Sequence, residues 1–457
     1  IGIRGGLQKK PLSFASANTF AAPMLNHLSV NSTFTFIKSM GLEKLPRFRY
    51  FTDTQEILSL LNGAQGEAVV MQRHPQANVV LIILESFSTE YTGVHADGKS
   101  WTPFLDSLAK KSLYFKKSFA NGRRSIEGVG ALLSGVPALM SEPFITSPFM
   151  TNSFVGLGSI LDQQGYHTSF FHGGQNGTMY FDSFSKSAGI QNYFGLNEYP
   201  NKSDFDGVWG IWDRPFLQYM VSQLNQFPAP FFSTVFTLSS HQPFKVPENE
   251  KHKFTEGPVE ILKSVAYADD ALKDFFTEAS KQVWFKNTLF VITADHTSMH
   301  FRENYKNLLG DYLVPLLFYF PGQDWAKVNT DQLVQQIDVM PSIIDFLDLK
   351  VQSRNYLGRS VFSNKKSHIA VFTDQDYVLF ADGHRLQVNA SDLVNNSNPP
   401  YQVQTFQWPW MQKVKIDTRP ESSSILLQQD LQKHLQAQLQ YFSDGLWDHR
   451  LYYPVGQ

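Results

Sequence analysis

Four short apolar runs in this chain are each followed at once by residues able to do chemistry: Leu84-Glu85-Ser86, Phe171-His172-Gly173-Gly174, Ser239-Ser240-His241 and Thr293-Ala294-Asp295-His296. In open α/β sheets ligands sit beyond the carboxyl ends of the strands, so the recurrence points to one convergent site. Glu85, Asp295 and His296 offer carboxylate oxygens and an imidazole, a donor set that suits Mn²⁺, Zn²⁺ or Mg²⁺. Taken singly, each has an ordinary structural explanation, since a carboxylate after a strand commonly caps a helix and a loop histidine is commonly just hydrogen-bonded. Their clustering at one sheet edge is what argues for a metal.

Covalent phosphoryl transfer at such a site also requires a hydroxyl nucleophile activated by the metal, because a free serine is almost wholly protonated near neutral pH. Ser125 fits, lying in Asn121-Gly-Arg-Arg-Ser-Ile-Glu-Gly128 where a turn runs into the helix-compatible Gly130-Ala-Leu-Leu133. At a helix N-terminus, free backbone N–H groups and the positive dipole end favour a phosphoryl group. The alternative is a plain N-cap serine, with Gly128 rather than a capping-box glutamate three residues on. His172 and His241 are candidates to hydrogen-bond phosphate oxygens or to shuttle a proton to a leaving alkoxide, the alternative being satisfied structural histidines. Arg123 and Arg124 read as surface residues and stay outside the site.

Positioning these groups requires a large sheet. The clearest strand patterns are Val79–Leu84, Thr168–Phe171, Phe231–Leu238, Leu289–Thr293 and Leu316–Phe320, short and almost continuously apolar, as strands covered on both faces are. Helices are expected over Thr102–Lys111 with Thr102 as cap, over Val259–Ala279 and over Gln332–Leu347. Asp382–Pro409 reads as short strands and turns, and Ser422–Phe442 as a glutamine-rich terminal helix. The helix-compatible stretches Phe20–Leu28 and Glu56–Leu61 read as a helical arm. The 457 residues, 42% of them hydrophobic with 39 phenylalanines, are ample for a large buried core.

Charge excludes other classes. With 39 basic against 41 acidic residues and no run of one sign, nucleic-acid binding is not expected. The absence of cysteine rules out disulfides, zinc-thiolate sites and thiol nucleophiles. Apolar runs fall far short of the roughly 20 residues a membrane span needs. The chain begins at Ile1, without a signal-peptide pattern, and reads as a fragment or a processed product.

The chain resembles the lipoteichoic acid synthase-like and phosphoglycerol transferase-like branch of the sulfatase and alkaline phosphatase superfamily. The resemblance rests on Arg4-Gly-Gly6, Asn78 to Ser86, the Ser125 turn, His172-Gly-Gly, Ser240-His-Gln-Pro-Phe244, Tyr267 to Phe276, Ala294-Asp-His296, Val314 to Phe318, Gln336 to Ser342 and Leu357-Gly-Arg359, in this order. It implies an α/β fold, an alkaline phosphatase/sulfatase-like sandwich with a mostly parallel central sheet. An N-terminal helical arm over 1–65 (a membrane-proximal linker in the family), a catalytic domain over 66–375 and a small C-terminal α+β subdomain over 376–457 complete the expected organisation.

It further implies one divalent metal, typically manganese, held by Glu85, Ser125, Asp295 and His296, with His172 and His241 contacting a phosphoglycerol group. The family nucleophile is commonly threonine; Ser125 keeps the hydroxyl chemistry. The expected donor is an anionic glycerophospholipid and the acceptor a glycan or lipid. The expected setting is the periplasmic or extracytoplasmic domain of an inner-membrane protein whose transmembrane helices lie outside this chain. In the Gram-positive polymer synthases the histidine equivalent to His172 is followed by a tryptophan and an arginine that grip glycerol phosphate. Here Gln175-Asn-Gly-Thr-Met-Tyr-Phe-Asp182 contains neither, which points to Gram-negative relatives with a different acceptor. Rival readings are a phosphodiesterase or phosphatase that uses water, a phosphoethanolamine transferase, and a silent module that binds envelope glycans or lipid head groups. Sulfatase activity is disfavoured, because Ser125-Ile-Glu-Gly lacks the Cys/Ser-x-Pro-x-Arg pattern.

Overall fold

Apolar strands bracketed by polar turns build the centre of the molecule. The computed structural model describes residues 45–62, 69, 71–93, 100–152, 154–363, 366–395, 399–406 and 422–454, together with Thr33. Its first nine strands are β1 (Asn78–Leu84), β2 (Leu113–Phe115), β3 (Lys117–Phe119), β4 (His167–His172), β5 (Asn192–Phe194), β6 (Phe231–Phe236), β7 (Thr288–Ala294), β8 (Leu316–Tyr319) and β9 (Leu333–Gln335). Seven of them form one sheet in the order β2-β8-β7-β1-β6-β4-β5. The pairings of β7, β1, β6, β4 and β5 are parallel, and β8 runs antiparallel to both its neighbours.

Side chains alternate along a strand, and β1 uses that alternation to feed two cores. Val79, Leu81 and Ile83 face one, Val80, Ile82 and Leu84 the other. Helices cover both faces, which is why β1, β6 and β7 are buried at every position. In chain order the helices are α1 (Thr54–Asn62), α2 (Pro103–Ala109), α3 (Ser125–Ser134), α4 (Leu157–Gln163), α5 (Phe181–Ser187), α6 (Asp213–Leu224), α7 (Ile261–Ala279) and α8 (Val339–Phe346). Residues of α3, α4, α5 and α8 fill the first core, and residues of α2, α6 and α7 the second.

Beyond α8 come a short strand β10 (Ser353–Arg354) and the antiparallel meander β11 (Ile369–Phe372), β12 (Asp376–Ala381), β13 (His384–Asn389) and β14 (Gln402–Thr405). Helix α9 (Ala390–Asn395) interrupts this meander, and α10 (Ser422–Trp447) precedes the last strand, β15 (Tyr453–Pro454), which pairs with β10. Leu431, Leu435 and Leu439 of α10 pack into the first core with Leu379 and Leu386 of the small sheet. The arm preceding α1 is tied to α10 through Gln440, whose Oε1 accepts from the backbone N–H groups of Tyr50 at 2.6 Å and Phe51 at 2.8 Å. The expected division at residue 375 falls inside the meander, between β11 and β12.

The structure corrects three local expectations. Gln332–Leu347 is not one helix. Leu333-Val-Gln335 pairs in parallel with β3, and the helix begins only at Val339, after Asp338 has accepted the Gln335 N–H at 3.1 Å. Thr102 sits at the start of α2, but its hydroxyl makes no cap bond. Asp269 of α7 does that work from across the core, accepting from Phe104 N at 2.8 Å and Leu105 N at 2.9 Å. The region of short strands and turns includes α9, whose start is held by Asn389 Oδ1 accepting from Ser391 N at 3.0 Å. Phe20–Leu28 and Arg4-Gly-Gly6 lie outside the described residues.

Candidate active site

The in-register pairing of β1 with β7 sets Leu84 opposite Ala294, so the next residue of each strand, Glu85 and Asp295, emerges side by side. At Ser86 the chain leaves β1 with a positive φ of 60°, an uncommon conformation for a residue with a Cβ. That turn aims the Ser86 N–H at Asp295 Oδ1, 2.7 Å away, and Oδ1 also accepts from His296 N at 2.8 Å. The Ser86 hydroxyl donates to Glu85 Oε1 at 2.6 Å.

Helix α3 brings Ser125 to the same point. A Cβ on Gly128 would lie 2.4 Å from the Asp295 carbonyl oxygen, so only glycine permits this approach. Ser125, one turn earlier, is thereby pressed against the carboxylates. Its Oγ lies 3.3 Å from both Glu85 Oε2 and His296 Nε2. His296 Nε2 is in turn 3.2 Å from Asp295 Oδ2 and 3.8 Å from Glu85 Oε1. Ser125 is the first helical residue rather than the cap. The cap position is Arg124, and Glu127 supplies the reciprocal bond, its Oε2 accepting from Arg123 N at 2.8 Å and Arg124 N at 3.0 Å. The capping glutamate of this helix is therefore present, in register with Arg124. The side chain of Arg124 is also spent on Glu127, while Arg123 is largely exposed and 3.8 Å from Asp311.

The donor set fits a divalent cation. Asp295 Oδ2 is buried and makes no hydrogen bond. His296 directs Nδ1 at the Thr297 carbonyl, 2.6 Å away, which leaves Nε2 with its lone pair facing the carboxylates. Burial and the adjacent Asp295 hold the Glu85 carboxyl well above the usual carboxylate range. Two acids in a dry site repel one another as anions, and a cation between them removes that conflict. Glu85, Asp295 and His296 thus form a potential divalent-metal cluster.

The remaining two histidines lie at neighbouring strand ends. His172 closes β4 opposite Phe236, with its ring stacked on that phenylalanine at 5.2 Å. Burial pushes it down to about 4, and neither ring nitrogen has a hydrogen-bond partner. His241 follows β6, half-buried, with Nδ1 2.9 Å from the Gln242 carbonyl and its ring 4.3 Å from that of Trp209. No hydrogen bond among the described residues joins either histidine to the metal-type cluster. The link runs instead through Ser240, whose hydroxyl donates to the Glu85 carbonyl at 2.6 Å.

Two supporting residues escaped the reading of strand ends. Gln336 Nε2 donates to the carbonyls of Ala294 and Asp295, both at 2.7 Å, and clamps the end of β7. Asp213 accepts from Leu238 N and Ser239 N and so shapes the loop that carries His241. Its isolated sequence context gave no signal, whereas Gln336 stood in one of the phrases behind the family resemblance.

A second buried ionic group borders the site. Glu90 accepts from His300 Nδ1 at 2.8 Å, and His300 Nε2 lies 3.4 Å from Asp311, whose carbonyl receives the Thr297 hydroxyl. Burial alone would lower the His300 pKa, but Asp311 and Glu90 outweigh it and bring it up to about 9. A histidine raised above its unfolded value of about 6.5 stabilises the fold fully below that pH and loses the contribution as pH climbs through about 9. With Asp311 partly exposed, on the order of 2 kcal/mol is at stake. Denaturation midpoints measured from pH 6 to 10 should fall across this window, and His300→Gln should flatten the decline. An equal decline in the variant would remove His300 as its source.

The sulfatase family profile matches residues 77–349, well over half of the chain. The chain belongs to the sulfatase family. Among sulfatase-family relatives, lipoteichoic acid synthase 1 of Bacillus subtilis is 27% identical over 327 residues, covering 66% of this chain and 50% of its own length. Lipoteichoic acid synthase of Staphylococcus aureus is 27% identical over 330 residues, with the same coverage. The chain spans about half the length of these curated relatives. Among solved structures, an alkaline phosphatase superfamily protein from Vibrio parahaemolyticus matches with a TM-score of 0.74 at 20% identity, over 90% of this chain and 100% of that one. A lipoteichoic acid synthase from Listeria monocytogenes gives 0.69 at 16% identity, over 88% and 100%. At these identities the structural likeness is one of fold. This sulfatase-family chain carries a metal-binding catalytic domain suited to transfer or hydrolysis of a phosphate-type group. No helix among the described residues is long and apolar enough to cross a membrane.

Proposed function

We propose that this domain transfers a phosphoglycerol group from an anionic glycerophospholipid to an envelope glycan or lipid acceptor, with Ser125 as nucleophile. The observation that carries the reading is the position of Ser125 Oγ, 3.3 Å from both Glu85 Oε2 and His296 Nε2 at the N-terminus of α3. Glu85, Asp295, His296 and Ser125 would hold one divalent ion, with manganese the first choice and magnesium or zinc as alternatives. Such an ion supplies charge that lowers the hydroxyl pKa and offsets the phosphoryl oxygens.

The residues of the chain do the rest. Ser125 Oγ attacks phosphorus, its proton leaving along the hydrogen bond to Glu85 Oε2, and the bond from phosphorus to the diacylglycerol oxygen breaks. His241 gives that oxygen a proton. His172, kept neutral by burial, donates an N–H to a phosphoryl oxygen. An acceptor hydroxyl then attacks the phosphoglyceryl-serine, returns a proton to His241, and Ser125 regains its own from Glu85. The positive N-terminal end of α3, where Ser125 is the first helical residue, favours the phosphoryl charge throughout. Water in place of the acceptor gives a phosphodiesterase by the same steps. The setting is the extracytoplasmic face of a cell envelope, a reading supported by the synthases to which the chain is similar.

Incubating the chain with Mn²⁺ and phosphatidylglycerol vesicles, then digesting it for mass spectrometry, should reveal glycerophosphate on the peptide that contains Ser125. Release of diacylglycerol with the adduct on another residue would overturn the assignment of the nucleophile.

A further inference from the structure

Away from the sheet edge, the small sheet and α10 bring together a second group of ligating side chains. His368 immediately precedes β11, and Asp430 and His434 sit one helical turn apart on α10. The rings of His368 and His434 are stacked, with centroids 3.8 Å apart and planes inclined by 17°. Asp430 Oδ1 is 3.9 Å from His434 Nε2, and one ligand atom from each of the three residues lies within 4.8 Å of the others. They line a cavity of about 920 Å³ between α10 and the β9–β12 region.

Two features point to a ligand rather than to mere packing. The ring nitrogens of His368 and His434 make no hydrogen bonds among the described residues, and both part-buried side chains line the cavity, so these nitrogens are available to a ligand that enters it. The strand is already tied to the helix by other means, since Gln438 Nε2 donates to the His368 carbonyl at 2.8 Å. The imidazoles are therefore not needed to dock the two elements.

We infer that His368, Asp430 and His434 form a second metal site, built for a zinc-like ion and separate from the cluster at Ser125. Two imidazoles and one carboxylate, with a fourth side open to the cavity, are the donor set of a three-ligand zinc site, which the two rings complete by turning out of their stack. The Ser125 cluster has two carboxylates and one imidazole and is harder in character, so the two sites differ in metal preference. An ion at the second site cross-links α10 to the small sheet, and hence stabilises the folded chain in proportion to its occupancy. The inference does not rest on the proposed transfer reaction.

The test is zinc titration of the chelator-stripped full chain, followed by calorimetry and thermal melting. The wild-type chain should bind two Zn²⁺ ions. Asp295→Asn should retain one, together with a zinc-dependent rise in melting temperature. Adding Asp430→Asn, an exposed substitution that spares the stacked rings, should weaken that remaining site by roughly tenfold or more. His434→Gln should abolish the melting shift while leaving the Ser125 cluster occupied. If folded Asp295→Asn protein binds no zinc, or if Asp430→Asn and His434→Gln leave its zinc affinity unchanged, the site does not exist. Failure of the Ser125 cluster would look different: the wild-type chain would bind a single ion, lost on His434→Gln and kept on Asp295→Asn.

Discussion

Ser125→Ala is expected to lower turnover of a nitrophenyl phosphodiester by roughly 10³-fold or more, measured with saturating Mn²⁺, while the protein stays folded. The structure separates the two consequences of this change. Ser125 is the first residue of α3 and not its cap, and Glu127 holds the preceding amides, so removing the hydroxyl orphans no backbone group. The hydroxyl makes only two long contacts of 3.3 Å, and its loss should cost no more than about 1 kcal/mol of stability. Nearly all of the effect should therefore appear in the rate. Ser125→Thr restores the hydroxyl and should retain measurable activity, which a purely steric role at this tight helix–strand contact would not allow. An alanine variant that works at full rate would rule out the covalent route and leave direct attack by water.

Asp295→Asn and Glu85→Gln should each weaken Mn²⁺ binding by about 10²-fold or more in calorimetric titration, because each removes one of two anionic ligands from a small site. Amide replacements are preferable to alanine here. Asp295 Oδ1 accepts two backbone N–H groups, from Ser86 and His296, and alanine would leave both buried and unpaired at about 1–3 kcal/mol each. Asparagine keeps that acceptor and alters only Oδ2, the oxygen that has no partner of its own. For the metal-free protein the expected sign reverses. Burial and the adjacent Asp295 both disfavour a charged Glu85, so an amide at either position removes an unfavourable charge from the buried pair and should leave the stripped variant at least as stable as the stripped parent. Unchanged Mn²⁺ affinity in both variants would remove the proposed centre.

Much of the site was legible from local pattern, for a physical reason. A strand buried on both faces must be a nearly unbroken apolar run, so its carboxyl end is marked wherever polar residues resume, and parallel pairing then gathers such ends along one edge. Glu85, Asp295 and His296, which the fold brings together, were nominated that way, as were His172 and His241 at the neighbouring strand ends. Residue chemistry and the N-terminal position of a helix were enough to nominate Ser125.

What remained hidden depends on pairs of residues far apart in the chain. Gly128 looked like the missing member of a capping box, yet it is glycine because the Asp295 carbonyl lies where its Cβ would be. Leu333-Val-Gln335 carried a helical pattern, but its ladder partner is β3, more than two hundred residues earlier, and pairing overrode propensity. Asp269 caps a helix whose own threonine does not, and Gln336 clamps a strand end some forty residues away. His368 and His434 stand in unremarkable stretches and meet only because α10 folds back across the small sheet. The identity of the reactive groups is a local property of the sequence; which of them touch is set by strand register and helix docking, and these are decided by burial summed over the whole core.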